Sequence, residues 1–145
     1  SAPKRRAWPL TAFTRCRLPT PGGLITWRVR ELGFDMILSG QVPGELGKAL
    51  HSNASTQLND SQATELWAVH PGGRSILDAV DQGLGLAKAA LAASRQVLAE
   101  FGNMSSATVM FVLQRLMRSA RSGARGCAMS FGPGLTAETM RFTAA

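Results

Sequence analysis

Two short stretches of this chain each place one polar side chain where a helix is predicted to begin, and they constrain the fold. Residues 67–73 (WAVHPGG) form an apolar strand that ends at His70, before Pro71 and two glycines. Residues 102–106 (GNMSS) place Asn103 in front of a long apolar segment. A histidine and an asparagine presented in this way can aim two N–H donors at one oxygen, as an oxyanion hole requires. The functional hypothesis therefore depends on whether these two side chains meet in space.

The hydrophobic pattern around these stretches predicts alternating strands and helices. Segment 105–120 is apolar nearly all round until its last turn, so it is expected to be a buried central helix. Strands before, between and after such helices predict an α/β domain in which a mixed sheet is packed with helices. The predicted strands are 10–18, 24–32, 34–39, 65–69, 126–131 and 135–143, with 24–39 as a hairpin, and the predicted helices are 45–50, 74–81, 87–101 and 105–120.

The composition is that of one folded domain. The chain has 145 residues, of which 45% are hydrophobic and 17% charged, which excludes a disordered chain. No apolar run reaches the roughly 20 residues that a membrane-spanning helix needs. We predict a basic arm over residues 1–7, a domain over residues 8–145, and a polar loop or irregular helix over residues 51–64.

Cysteine and charge usage narrow the function classes. Cys16 and Cys127 stand far apart, with no CxxC motif or Cys/His cluster, so neither a disulfide framework nor a zinc site is expected. A reducing, cytoplasmic setting fits this usage best. The net charge is +7, with 13 Arg and three Lys scattered along the chain. This pattern favours a solvated basic surface or the steering of a phosphorylated substrate, and no nucleic-acid-binding motif accompanies it.

Each candidate residue also has a structural interpretation. His70 alone could be a buried structural histidine, and Asn103 alone could be a helix cap. Asp78 and Asp81 are expected to lie on a solvated face of a helix rather than to form an acid/base pair. No GxSxG, GxGxxG or Walker motif is present to supply a nucleophile or hold a nucleotide.

Five motifs in order give the chain a specific resemblance. They are WAVHPGG at 67–73, ILDAV at 76–80, SRQVL at 94–98, GNMSSA at 102–107 and FGPGLT at 131–136. The chain resembles the C-terminal half of chalcone/stilbene synthase-type enzymes, the type III polyketide synthases. Ketoacyl synthases of fatty acid synthesis also pair His with Asn, but their His is not usually followed by Pro-Gly-Gly.

The resemblance implies a thiolase-like half-domain of a homodimeric acyltransferase with a Cys-His-Asn triad. His70 and Asn103 match the catalytic His and Asn, whereas the nucleophilic Cys belongs to an N-terminal half that this sequence does not contain. The whole enzyme would decarboxylate malonyl-CoA and condense it onto a Cys-bound acyl starter. CoA thioesters are then substrates, no cofactor or metal is expected, and the isolated chain is expected to be inactive.

The resemblance also suggests residues for substrate and CoA binding. Trp27 falls where plant chalcone synthases have a small Gly, and Met36 falls on a gate Phe of the family. Ser130 stands where plant members have Gly. The predicted binding set is Gly72, Arg74, Ser75, Ser105, Phe131, Gly132, Pro133, Gly134, Trp27 and Met36.

Two alternatives remain open at this point. The same half fold could serve as a non-catalytic interaction module, since the chain lacks the nucleophile. A condensing enzyme similar to ketoacyl-ACP synthases is the other. The expected partners are the Cys-bearing half, a second copy of the enzyme, malonyl-CoA and an acyl-CoA starter, with no nucleic acid and no membrane span.

Overall fold

The computed structural model describes residues 7–52 and 64–145. The predicted basic arm, apart from Ala7, and most of the predicted polar segment 51–64 lie outside these ranges. The strands are β1 (Leu10–Arg17), β2 (Ile25–Arg30), β3 (Gly33–Leu38), β4 (Leu66–Val69), β5 (Arg125–Gly132) and β6 (Thr136–Thr143). The helices are α1 (Val42–His51), α2 (Arg74–Leu84), α3 (Ala92–Phe101) and α4 (Thr108–Ser119), the last preceded by a 3₁₀ turn, Ser105–Ala107.

Four strands form one mixed sheet in the order β1-β6-β5-β4. Strands β4 and β5 are parallel, whereas β6 is antiparallel to both of its neighbours. Strands β2 and β3 form a separate antiparallel hairpin, in which Trp27 pairs with Met36. The predicted mixed sheet and the predicted hairpin are therefore confirmed.

Strand β4 contributes to the core on both faces of the sheet, because successive residues of a strand point to opposite sides. Trp67 and Val69 of β4 join a core cluster with residues of α1 and α2, whereas Ala68 joins a second cluster with residues of α3 and α4. The prediction that β4 is buried on both faces is confirmed, since residues 67–69 are all buried. The domain thus has helices on both sides of its sheet.

Helices α1 and α2 pack closely because small residues lie between them. A Cβ atom built on Gly83 of α2 would lie 2.9 Å from Leu50 Cβ and 3.0 Å from the Gly47 carbonyl oxygen of α1. Glycine is unfavourable inside a helix by roughly 1 kcal/mol relative to alanine. At this position the close approach of the two helices leaves no room for a side chain.

Helix α3 begins five residues later than predicted. Gly85 ends α2 in the left-handed conformation, with φ of 62°. Residues 87–91 then form turns, closed by bonds from Ala90 N to Ala87 O and from Ala92 N to Ala89 O. These turns place Leu91 fully in the core. The helical propensity of the alanine-rich stretch is therefore overridden by burial of one leucine.

Helix α4 covers the sheet beside α3, but only one of its faces is buried. Thr108 and Val112 are fully buried, whereas Met110 is 62% and Phe111 39% exposed. The expected burial all round does not occur within this chain, because no described element covers the outer face. Helix α4 therefore carries more apolar side chains than the described part of this domain buries.

Candidate functional site

His70 and Asn103 line one pocket. It has a volume of about 700 Å³ and lies between the hairpin, the start of α1, the C-terminal ends of β4 and β5, and the loop before α4. Its lining residues are Ile25, Trp27, Met36, Leu38, Ser39, Gly40, Val42, Pro43, His70, Gly72, Gly73, Ser75, Ile76, Asn103, Ser105, Ser106, Val109, Ser130, Phe131, Gly132 and Pro133.

The sheet positions His70 at the end of β4. The His70 N–H donates to the Met129 carbonyl at 2.8 Å, which extends the parallel pairing of Val69 with Met129 by one residue. His70 therefore lies beside Ser130, and both line the pocket. The chain then turns, with the Gly72 N–H donating to the His70 carbonyl at 3.0 Å.

The Pro-Gly-Gly turn leaves the imidazole accessible. A Cβ atom on Gly72 would lie 3.8 Å from His70 Cδ2 and 3.9 Å from His70 Nε2, so any longer side chain would cover that edge of the ring. Glycine at this position keeps the ring nitrogen open to the pocket.

Burial lowers the pKa of His70 below its ordinary value of 6.5. Desolvation is the cause, because it disfavours the charged imidazolium. Across residues 7–52 and 64–145, the imidazole has no hydrogen-bond or ion-pair partner that would offset this effect. The neutral ring, with one N–H donor and one acceptor nitrogen, is thus the favoured form at pH 7.

Two hydrogen bonds fix the carboxamide of Asn103. Its Oδ1 accepts from the Ser105 N–H at 2.9 Å, and its Nδ2 donates to the Gly72 carbonyl at 3.1 Å. The first bond closes a local turn and is not the helix cap that the sequence suggested, because Met104 and Ala107 stand at the N-cap positions of the 3₁₀ turn and of α4. The second ties the asparagine to the turn after His70. An amide NH₂ has two donors, so one N–H remains for a ligand.

The loop that carries Asn103 has an unusual backbone. Gly102 has φ of 70°, which glycine adopts readily, and Ser105 has φ of 61° although it is not glycine. A non-glycine residue in this region costs of order 1–3 kcal/mol and is frequent at functional sites. The buried hydroxyl of Thr108 supports the loop by accepting from the Met104 N–H and donating to the Ser105 carbonyl, both at 2.8 Å.

The hairpin supplies an apolar wall. Cross-strand partners Ile25 and Leu38, and Trp27 and Met36, lie on the face toward the pocket. The Trp27 ring also contacts the Phe34 ring, with centroids 4.9 Å apart. Trp27 therefore occupies space that a smaller residue would leave to a ligand.

Most of the binding residues that the sequence suggested line this pocket, but two do not. Arg74 is exposed at the first residue of α2, and Gly134 lies in the β5–β6 turn beside Thr136. Neither belongs to the lining residues. The members of the predicted set that line it are Gly72, Ser75, Ser105, Phe131, Gly132, Pro133, Trp27 and Met36.

Neither cysteine lines the pocket. Cys127 is buried in the core, and burial raises the pKa of its thiol to about 11. A thiol with that pKa is protonated at pH 7 and is a poor nucleophile. Cys16 is half-buried on β1, away from the lining residues.

The pocket carries few charged groups. Within the described ranges, no Asp, Glu, Lys or Arg lines it, and no cluster of three or more His, Cys, Asp or Glu could hold a metal ion. The described helices are also too short or too polar to cross a bilayer. The polar atoms available to a ligand are those of His70, Asn103, serine hydroxyls and the backbone.

Sequence reasoning did not assign several lining residues to the site. Ile25 and Leu38 could have been found, because they share the apolar face of the hairpin with Trp27 and Met36. No sequence pattern marked the lining residues before and at the start of α1, since only the packing of α1 on α2 brings them to the pocket. They are Ser39, Gly40, Val42 and Pro43.

Comparison with known proteins shows which family and which fold the chain resembles. The model of the family "Chalcone and stilbene synthases, C-terminal domain" matches residues 10–144. The crystal structure of PKS-I from the brown alga Ectocarpus siliculosus is similar, with 29% sequence identity and a TM-score of 0.82. The match covers 95% of this chain but only 40% of PKS-I. The predicted α/β, thiolase-like half-domain is thereby confirmed.

Proposed function

The chain belongs to the chalcone and stilbene synthases, whose C-terminal domain it represents, and we propose that it supplies the His/Asn half of a malonyl-CoA-condensing site. The observation that carries the proposal is that His70 and Asn103 line the same pocket. In this proposal the nucleophilic Cys comes from an N-terminal half outside the 145 residues.

The proposed chemistry begins with decarboxylation. The bond between the malonyl methylene carbon and its carboxylate breaks, carbon dioxide leaves, and the electron pair remains as an enolate on the thioester oxygen. An N–H of His70 and the free N–H of Asn103 would donate to that oxygen. The scarcity of charge in the pocket suits this step, because no cation is present in the described lining to stabilise the malonyl carboxylate.

The second step is condensation. The enolate carbon attacks the carbonyl of the acyl group on the Cys, a carbon–carbon bond forms, and the thiolate leaves. A thiolate beside His70 would favour the imidazolium, which opposes the lowering of the His70 pKa by burial. The neutral ring favoured in this chain and the ion pair of the complete site are therefore compatible.

The test uses malonyl-CoA labelled at its free carboxyl, with a Cys-bearing N-terminal half supplied in trans to the 145-residue chain. We expect label to be released as carbon dioxide. The variants His70→Ala and Asn103→Ala should each lower the rate by about 10²–10³-fold, the usual effect of losing an oxyanion donor. His51→Ala is the matched control, since His51 is exposed on α1 and does not line the pocket.

A non-catalytic interaction module is the second candidate. It is favoured by the buried, protonated Cys127 and by the exposed apolar face of the hairpin. A folded complex of the chain with the Cys-bearing half that does not decarboxylate malonyl-CoA would support this candidate and contradict the enzymatic one. Equal decarboxylation rates for wild type and His70→Ala would do the same. Activity only with malonyl groups on an acyl carrier protein would instead indicate a ketoacyl-ACP synthase-like enzyme.

A further inference from the structure

The two loops that carry His70 and Asn103 are each attached to one helix of a pair. Helix α2 begins at Arg74, directly after the His70 turn, and α3 ends at Phe101, directly before the Asn103 loop. The loops contact one another through the bond from Asn103 Nδ2 to the Gly72 carbonyl, 3.1 Å long. The relative position of α2 and α3 therefore determines how the two donors are placed.

One arginine connects these helices by ion pairs. Arg95 of α3 places Nη1 2.8 Å from Asp78 Oδ1 and Nη2 3.4 Å from Asp81 Oδ2, both on α2. Asp78 and Asp81 are one turn apart on α2, so a planar guanidinium with its two terminal nitrogens can reach both. In the part of the chain that the structure describes, no other ion pair joins α2 to α3.

We propose that Arg95 is a positioning residue for the condensing site, which holds the His70 and Asn103 loops in register through Asp78 and Asp81. This proposal deepens the proposed function and rests on it. Arg95 lies within two helical turns of Phe101, the last residue of α3, and Asp78 is about one turn from the start of α2. A small slide of α3 along α2 would lengthen the Asn103–Gly72 bond and misalign the two donors.

The partial burial of the pair between Arg95 and Asp81 favours a mechanical role. The Arg95 side chain is 35% and the Asp81 side chain 19% exposed, so solvent screens this pair less than an ordinary surface ion pair, whereas the Asp78 side chain is 53% exposed. Lysine could reach one carboxylate but could not bridge two in a fixed plane. The effect of Arg95→Lys is thus expected to lie between those of wild type and Arg95→Ala.

Arg115 provides a matched control. Its guanidinium makes two bonds to Glu100, at 2.9 and 2.6 Å, and its side chain is 31% exposed, close to the value for Arg95. It joins α4 to α3, and none of its described hydrogen bonds or ion pairs reaches α2. Loss of the Arg115 pair should lower stability comparably without changing the register between the two loops.

The experiment compares Arg95→Lys and Arg95→Ala with Arg115→Lys and Arg115→Ala in the natural full-length polypeptide. Hydrogen exchange is measured by mass spectrometry in the peptides that contain the Gly72 and Ser105 N–H groups. Each of these groups donates a hydrogen bond within its loop, to the His70 carbonyl and to Asn103 Oδ1 respectively. Both peptides should exchange faster in Arg95→Ala, less so in Arg95→Lys, and not in the Arg115 variants. Melting temperatures should fall similarly for the two alanine variants.

Malonyl-CoA decarboxylation gives the second measurement. A misplacement of about 1 Å costs up to 10²-fold in rate, so Arg95→Ala should lower kcat by roughly ten- to a hundredfold. KM should change less than about threefold, since the lost interaction matters in the transition state. Arg115→Ala should retain kcat within about threefold of wild type.

Unchanged exchange at both loops in Arg95→Ala would overturn the proposal, as would equal effects of the Arg95 and Arg115 variants. If the wild-type protein does not decarboxylate malonyl-CoA, the proposed function fails. The exchange measurement then still decides whether Arg95 holds the loops. Should Arg95→Ala not fold, Arg95→Lys and Asp78→Asn provide the same comparison.

Discussion

At the scale of single residues, the titration of His70 has a consequence for stability. The folded chain disfavours the imidazolium, so the pKa of His70 lies below its ordinary value of 6.5. The unfolded chain therefore takes up the proton at higher pH than the folded chain. Stability contributed by the neutral ring is fully present above pH 6.5 and is lost as the pH falls below that value and through the lower pKa of the folded chain.

We expect His70→Gln to remove part of this pH dependence. Urea unfolding of the 145-residue chain at a series of pH values between about 5 and 8 measures it, because the slope of unfolding free energy with pH counts the protons taken up. Wild type should lose stability toward acid more steeply than His70→Gln. Equal slopes for wild type and His70→Gln would contradict the prediction.

Residue identities at the site were predictable where local sequence marks them. His70 and Asn103 follow apolar runs and precede helix starts, so the local sequence alone indicates the loops that carry them. The ion pairs of Arg95 with Asp78 and Asp81 were not predictable. Both carboxylates were expected to face solvent, which holds for Asp78 at 53% exposed but not for Asp81 at 19% exposed. The distance from Arg95 to these carboxylates depends on how α2 and α3 pack, which the hydrophobic pattern of a single helix does not encode.

At the scale of elements, strand β5 depends on a glycine. Gly126 pairs directly with Phe142 of β6, and a Cβ atom at Gly126 would overlap the Phe142 ring. Trp8 also stacks on that ring, with centroids 4.9 Å apart. Phe142 is thus enclosed by two neighbours and cannot move away freely.

Gly126→Ala should therefore destabilise the domain by about 1–3 kcal/mol, the usual effect of overpacking a core. Gly132→Ala is a control on the same strand, since a Cβ atom there meets nothing within 4 Å. Chemical denaturation of both variants measures the difference. Equal stabilities would mean that Phe142 and Trp8 move aside without strain.

The hairpin carries a second prediction at this scale, which depends on the proposed function. Trp27 lines the pocket and fills part of it. Trp27→Gly enlarges the space for a growing chain, so the natural full-length polypeptide should perform more extensions with this variant than with wild type. Product lengths measured by mass spectrometry decide this.

Phe34→Ala separates the effect of space from that of hairpin stability. Phe34 contacts Trp27 but does not line the pocket, so its loss should weaken the aromatic pair without lengthening the products. Identical product lengths from wild type and Trp27→Gly would contradict the role of Trp27.

The elements themselves followed from the sequence more fully than their burial did. Period-two alternation identified the hairpin, and the spacing of apolar residues identified α1, α2 and α4, although α3 begins at Ala92 instead of residue 87. The pattern could not say which apolar surfaces this chain covers by itself. Segment 105–120 reads as a fully buried helix, yet Met110 and Phe111 of α4 are exposed.

At the scale of the whole molecule, the described chain exposes two apolar surfaces. One is the hairpin, where Val29 is 90% and Phe34 65% exposed. The other lies around α4 and β1, where Met110 is 62% and Phe13 70% exposed. Exposed apolar patches of this extent usually mark surfaces that a partner covers. The chain spans 40% of PKS-I, which leaves room for such a partner within a longer polypeptide.

We therefore expect the isolated 145-residue chain to self-associate, because burial of apolar surface gains roughly 25 cal/mol per Å². Sedimentation velocity over a range of concentrations should show dimers or larger species. Met110→Glu and Phe111→Glu should shift the distribution toward monomer, since a charge cannot be buried against an apolar surface without a partner.

Glutamate at Leu32, the tip of the hairpin, distinguishes the two surfaces. Leu32 is fully exposed and lies at the turn between β2 and β3, so Leu32→Glu tests association through the hairpin alone. An added Cys-bearing half should compete with self-association, because we expect both processes to cover the same apolar residues. A strict monomer at high concentration would contradict the prediction, because it would mean that both apolar surfaces remain exposed to solvent without a partner.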